Sequence, residues 1–239
     1  MANHRIFSFN ENNWIVYVVT ESTDKNSTCR QEREQAYITW VSPGNIRPHV
    51  VNISESSYIS DVFCFVLHNK AYVVITKLYE TYGVTQIKKL FADKNEFYVV
   101  QNLTVQLGSK IHLFKIAEDY ILVIGQIHNF KKYNNEDTKI FVFNEHNEKF
   151  LLLQTIPSSG TVSSTSLSLN EEHFVMLAEQ NFKIQVLNYN VHASNYFLTQ
   201  NMYSDSTILE VNTLEMKGKN SNEKAGNAWR MGILMVYIH

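Results

Sequence analysis

The chain has 239 residues, 44% of them apolar and 13% aromatic, which is enough to build a sizeable core and unlike a disordered segment. Its 21 basic residues nearly balance 23 acidic ones, and a net charge of −2 offers no basic face for nucleic acid or an anionic membrane. No apolar run approaches the about 20 residues that a membrane-crossing helix requires, so no membrane span is predicted.

Taken in order, the chain is a succession of short runs. Arg5–Phe9 alternates and Trp14–Val19 is continuously apolar; the latter follows polar Asn10–Asn13 and lacks a small-residue cleavage pattern, so no signal peptide is predicted. The polar stretch Thr20–Gln35 comes next, followed by a run carrying Tyr37 and Trp40 and then by Pro48–Asn52. Ser60–Phe65 alternates, Ala71–Ile75 is apolar, Ile87 and Leu90 mark a further run, and Phe97–Gln101 ends in glutamine. The series resumes with Lys110–Ile116 and Tyr120–Ile124, passes a second polar stretch at Gln126–Thr138, and continues through Ile140–Phe143 and Phe150–Gln154. Ser166–Leu169, Phe174–Ala178, Ile184–Leu187 and Tyr196–Gln200 complete it. Each run has strand length, is rich in β-branched or aromatic residues, and is bounded by Asn, Glu, Ser, Pro or Gly. Alternation exposes one face, whereas a continuous run suits a strand buried on both. With three prolines and eight glycines, turns must rely on Asn, Asp and Ser.

The runs repeat. Gln101, Gln154 and Gln200 lie 53 and 46 residues apart (154 − 101, 200 − 154), and a degenerate copy ends at Asn52, 49 residues before Gln101 (101 − 52). Between Thr138 and Asn188 the order Ile140–Phe143, Phe150–Ile156, Leu167–Leu169, Phe174–Ala178 restarts at Phe182–Leu187, which frames a four-strand unit opening on Ile140. Four strands in roughly 45–50 residues is the size of a propeller blade. The prediction is an all-β protein, a partial β-propeller of about four to five blades. The repeats span residues 1–215, and residues 216–239 form a divergent tail or the start of a further repeat. Strands are expected over Phe97–Gln101, His112–Ile116, Tyr120–Ile124, Ile140–Phe143, Phe150–Gln154 and Phe174–Ala178, with helix nearly absent.

A Phe, then Gln-Thr-Ile-Pro-Ser-Ser-Gly at 154–160, an alternating strand and Phe174–Ala178 together resemble the EAR, or EPTP, repeat, clearest over Glu96–Leu187. In that family seven repeats close a β-propeller in secreted proteins and an adhesion receptor. The resemblance implies an extracellular module that binds a protein partner, and a chain of this length would be a fragment of the ring. The family usually places an Asp four residues before the Phe of the alternating strand. Here that slot holds Asp61 before Phe65, Lys110 before Phe114 and Ser163 before Leu167, which puts a carboxylate ring, and any calcium it would hold, in question.

Chemistry is sparsely marked. No GxSxG, HExxH, phosphate loop or CxxC pair is present, and no cofactor, metal site or catalytic residue is predicted. Cys29 and Cys64 are the only cysteines, a pair that leaves a disulfide open without indicating one, and a metal site would need more ligands at close spacing. Histidines 112, 128, 146, 173, 192 and 239 are scattered and read as surface or edge residues. Asn26, Asn52 and Asn102 head sequons that matter only in a secretory compartment. The polar stretches Thr20–Gln35 and Gln126–Thr138 occupy one slot of the repeat, so they are expected on one face. They carry the binding candidates Arg30, Arg33, Phe130, Lys131, Lys132 and Tyr133. The polar segment Met216–Asn227 reads as another such insertion or a flexible tail. The leading expectation is a non-enzymatic interaction scaffold. Its alternatives are a hydrolase or lyase working in the central channel, which converging carboxylates or histidines would favour, and an intracellular adaptor.

Overall fold

The computed structural model describes residues 4–9, 12–22, 32–41, 49–54, 58–79, 82–91, 96–105, 108–116, 118–126, 137–169, 172–190, 192–204, 208–217 and 229–237, with side chains described only between 59 and 204. The described residues form eighteen strands and no helix. The first sheet holds β1 (His4–Phe9), β2 (Asn12–Ser22), β3 (Glu32–Val41) and β4 (His49–Ser54). The second holds β5 (Tyr58–Leu67), β6 (Lys70–Leu78), β7 (Gly83–Phe91) and β8 (Glu96–Val105). The third holds β9 (Gly108–Ile116), β10 (Asp119–Gln126), β11 (Thr138–Asn144) and β12 (Lys149–Ile156). The fourth holds β13 (Thr161–Leu169), β14 (Glu172–Glu179), β15 (Lys183–Asn190) and β16 (Asn195–Tyr203), and β17 (Ile208–Lys217) pairs with β18 (Trp229–Tyr237). Each four-stranded sheet is an antiparallel meander. All six predicted strands are present, and the architecture is that of a partial β-propeller.

The first strands hold the array together. β1 adjoins β5, β5 adjoins β9, β9 adjoins β13 and β13 adjoins β17, so the sheets fan out from a common axial side. Among the described strands no comparable seam joins β17 to β1. The continuous apolar runs are the second strands of their sheets and are buried, as expected: Ala71–Ile75, Ile121–Ile124 and Val175–Ala178 are covered by sheets on both faces. The frame differs from the sequence reading. The sheet boundary falls between Ile156 and Thr161, so a unit opens on the alternating strand and closes on the glutamine-bearing one, two strands out of phase with a unit opening at Ile140. The boundary expected at residue 215 falls inside β17.

The recurring glutamine has a specific job. Gln101 Nε2 donates to the Phe150 carbonyl and Phe150 N–H donates to Gln101 Oε1, both at 2.8 Å. Gln154 repeats the pattern one sheet on, donating to the Tyr196 carbonyl at 2.8 Å and accepting from Tyr196 N–H at 2.7 Å. An amide suits this task because it presents a donor and an acceptor side by side, matching the backbone of the next outer strand. The aim comes from a β-bulge. Register slips between Ile87 and Lys88, Ile140 and Phe141, and Val186 and Leu187, leaving Val100, Leu153 and Thr199 as the extra residue just before each glutamine. Gln154→Met keeps the length but removes both bonds and strands two backbone groups of Tyr196. We expect a cost of about 1–2 kcal/mol in chemical denaturation; a loss below about 0.3 kcal/mol would show that water replaces the clamp.

The seam between the second and third sheets also carries an ionic latch, two residues from the clamped Phe150. Glu148, in the β11–β12 turn at φ 54°, takes Lys70 Nζ and Lys89 Nζ at 2.5 Å each. Donation from Lys70 first, and then from Lys89, holds the Glu148 carboxyl below its ordinary value. A depressed folded pKa means stability that is present above the unfolded value, about 4.3, and lost as pH falls through the folded one. Glu148→Gln should therefore lower stability at pH 7 by about 1 kcal/mol. Its melting curve should converge with that of the parent below about pH 4. A gap that persisted unchanged into acid would mean the residue acts through the turn and not through charge.

Candidate active site

Four of the five first strands, β5, β9, β13 and β17, carry a bulge near their starts, whereas β1 pairs with β2 in unbroken register. Register slips between Ile59 and Asp61, between Gly125 and Gln126 opposite Gly108–Lys110, between Thr161 and Ser163, and between Ile208 and Glu210. Each slip inserts one residue (Ser60, Ser109, Val162, Leu209), and bulges of this kind re-aim side chains at the ends of barrels and beside active sites. The position just after the bulge holds Asp61, Lys110, Ser163 and, by register, Glu210. A fully acidic ring is therefore absent from this slot. Glu210 escaped the sequence reading, although its spacing of four from Leu214 matches that of Asp61 from Phe65. Asp61 is buried and committed to backbone: Oδ1 accepts Val62 N–H at 3.0 Å and Oδ2 accepts Ile111 N–H at 3.1 Å, which ties β5 to β9.

At the same end a chain of buried polar groups pins the loop from β12 to β13. Glu179, fully buried, accepts Gln185 Nε2 at 2.5 Å and Lys183 Nζ at 3.2 Å on Oε1, and Ser159 N–H at 3.0 Å on Oε2. Gln185 Nε2 also donates to the Pro157 carbonyl at 2.9 Å. Thr138 Oγ1 lies 3.1 Å from Ser158 Oγ and 2.7 Å from Thr161 Oγ1, and Gln126 Nε2 donates to the Asp137 carbonyl. Gly160 closes the loop at φ 80°, a conformation glycine adopts without strain. These contacts make the Pro-Ser-Ser-Gly stretch a rigid rim.

Further along the first strands, His112 on β9 places Nε2 3.1 Å from Ser166 Oγ on β13, while its ring stacks on Phe114 at 5.4 Å. His112 and Ser166 are part-buried, so neither is sealed from solvent. Sequence alone placed His112 at a surface or edge; the partner lies 54 residues away and only the stacking of two sheets joins them. Ser164, two residues before Ser166, has a buried hydroxyl with no partner. Of the other histidines whose side chains are described, His173 Nδ1 sits 2.7 Å from Ser168 Oγ within one sheet, His68 Nδ1 lies 3.8 Å from Glu145 Oε2, and His146 and His192 lie exposed in turns.

Arg30, Phe130, Lys131, Lys132 and Tyr133 lie outside the described residues, as do Asn26, Cys29, His128 and His239. Arg33 is in β3, opposite Glu21, and Asn52 in β4, opposite Tyr37. Thr20–Gln35 is shorter as a connection than predicted, because β2 and β3 pair as far as Ser22 and Glu32. It and Gln126–Thr138 both join a second strand to a third, whereas Met216–Asn227 lies between a first and a second, so it does not share their slot. Asn102 is exposed in β8, its Oδ1 accepting from Gln86 Nε2 at 3.2 Å. Cys64 is a buried thiol on β5. Among the described residues no group of three or more His, Cys, Asp or Glu is arranged to hold a metal, and no helix is long and apolar enough to cross a membrane.

No family model matches the chain, and no curated protein matches it either. Solved structures do. The chain is similar to Zg3597, a family 117 glycoside hydrolase of the marine bacterium Zobellia galactanivorans, at 7% identity and TM-score 0.51, over 97% of this chain and 82% of that one. It is also similar to a protein assigned as a 6-phosphogluconolactonase from Bacteroides uniformis, at 13% identity and TM-score 0.53, over 84% of this chain and 70% of that one. Both are named as enzymes, which overturns the expectation of a non-enzymatic interaction scaffold. At such identities what the likeness shows of this chain is its fold, a partial β-propeller of four-stranded antiparallel sheets.

Proposed function

We propose that the chain is a hydrolase acting on the axial side of its sheets, where the first strands converge. One observation carries this reading: β5, β9, β13 and β17 bring Asp61, Lys110, His112, Ser163, Ser166 and Glu210 to the axial strands, a polar set that an apolar core does not require. The named activities of the two structural relatives, glycoside hydrolysis and lactone hydrolysis, support the reaction class. Fold likeness alone never fixes an activity, so the axial side chains must decide. The test is turnover by the full chain of three panels: chromogenic aryl glycosides, aryl esters, and sugar lactones followed by proton release. Hydrolysis of at least one panel above the buffer rate is expected, and no turnover on any of them would remove the proposal.

The proposal extends to kinship with the EAR repeats, with an extracellular setting and glycans on the sequons. The in-phase recurrence of Gln101, Gln154 and Gln200 supports the kinship. Expression through a secretory route, with glycan mapping at Asn26, Asn52 and Asn102, tests the rest; three bare asparagines on a retained product would count against it.

A further inference from the structure

We infer that Ser166 and His112 are a nucleophile and its general base for the hydrolysis of an ester or lactone, with the Ser164 hydroxyl as a donor to the oxyanion; this rests on the hydrolase reading above. The pair spans two sheets, one residue on β9 and one on β13, with Nε2 3.1 Å from Oγ, within proton-transfer reach. The Phe114 ring packed on the imidazole limits its rotation. Ser164 and Ser166 pair with Leu177 and Val175 in unbroken register, so their side chains leave the same face of β13. A buried hydroxyl without a partner is uncommon and calls for a reason. A ligand oxygen beside Ser166 supplies one.

The chemistry balances with water as the only co-reactant. Ser166 Oγ bonds to the carbonyl carbon as its proton passes to His112 Nε2, and Ser164 donates to the carbonyl oxygen as it gains charge. The carbon–oxygen bond of the ester breaks, and the proton on Nε2 goes to the leaving oxygen. Water then adds to the acyl-serine, its proton taken by Nε2, and the acid departs as that proton returns to Oγ. In a lactone the leaving hydroxyl stays on the same molecule. A serine–histidine pair attacks a carbonyl carbon and uses no carboxylate, which separates it from glycoside hydrolysis by paired acids.

The experiment uses the full chain, with p-nitrophenyl acetate, sugar lactones and aryl glycosides as substrates, and an aryl fluorophosphonate as a covalent probe. Turnover of ester or lactone should fall at least about 100-fold in Ser166→Ala and in His112→Asn, and about 10-fold or more in Ser164→Ala. Peptide mapping of the labelled native chain should place the phosphonate on Ser166, a readout that does not depend on any variant folding. Glycoside turnover that survives unchanged in Ser166→Ala, with no adduct on Ser166, overturns the pair while the hydrolase reading stands. The absence of both turnover and adduct on the native chain overturns both.

Discussion

Phe150→Ala should be among the most damaging single changes in the described part of the chain, costing about 3–5 kcal/mol in denaturant unfolding. Phe150 is 1% exposed at the centre of an aromatic group, its ring 5.0 Å from Phe143 and 6.0 Å from Phe65, with Phe65 stacked on Tyr72 at 4.8 Å. Those rings come from β5, β6, β11 and β12, so the group is the seam between the second and third sheets and not the core of either one. In a linear array, stability is roughly the sum of the units and their interfaces, and a weakened interface separates the array at that point. The Gln101 clamp grips Phe150 by its backbone and survives the truncation, so the loss reports the ring alone. Phe143→Ala, lining the same cavity, should add less than its single effect in the double variant. A cost below about 1 kcal/mol for Phe150→Ala would mean that the seam collapses onto the gap.

The strands were legible because the two periodicities that mark them are local. A reader of the sequence meets Ala71–Ile75 or Val175–Ala178 as unbroken runs, and a run has few uses other than a strand covered on both faces. The glutamines were legible as a recurrence but not as clamps, since the atoms they hold lie 49 and 42 residues away, in the next sheet. The frame of the unit was misplaced for a related reason: a repeat carries no mark of where it begins, and only the pairing of β12 with β11, and of β13 with β14, puts the boundary after Ile156. Tyr196 shows how far equivalence extends. It fills the slot of Phe150 and is 2% exposed, but its hydroxyl has no partner and burial pushes its phenol far up. The scaffold expectation, which similar structures named as enzymes go against, leaned on the lack of a linear motif, and a contact assembled from one residue per sheet, such as that of His112 with Ser166, leaves only scattered letters in the sequence.

Gly125→Ala should cost about 2–3 kcal/mol, out of proportion to one methyl group. A Cβ at Gly125 would stand 2.7 Å from the Thr161 carbonyl oxygen and 3.1 Å from Thr161 Cβ, so the obstacle includes backbone of the neighbouring sheet. That backbone has little room to retreat. Thr161 lies at the bulge of β13 and its hydroxyl bonds Thr138 at 2.7 Å, while Ser159 and Pro157, just upstream, are held by Glu179 and Gln185. The equivalent positions in the second and fourth sheets hold Thr76 and Ala178, so the close approach belongs to this seam and is not a demand of the repeat. Because Gly125 has an ordinary φ, entropy alone would make alanine mildly stabilising here, and steric overlap must reverse the sign. Thr161→Gly removes the side-chain overlap but leaves the carbonyl in place, so it should fail to rescue Gly125→Ala. Stability no lower than that of the parent in Gly125→Ala, measured in denaturant, would show that β10 and β13 separate freely and that the rim is less rigid than its hydrogen bonds suggest.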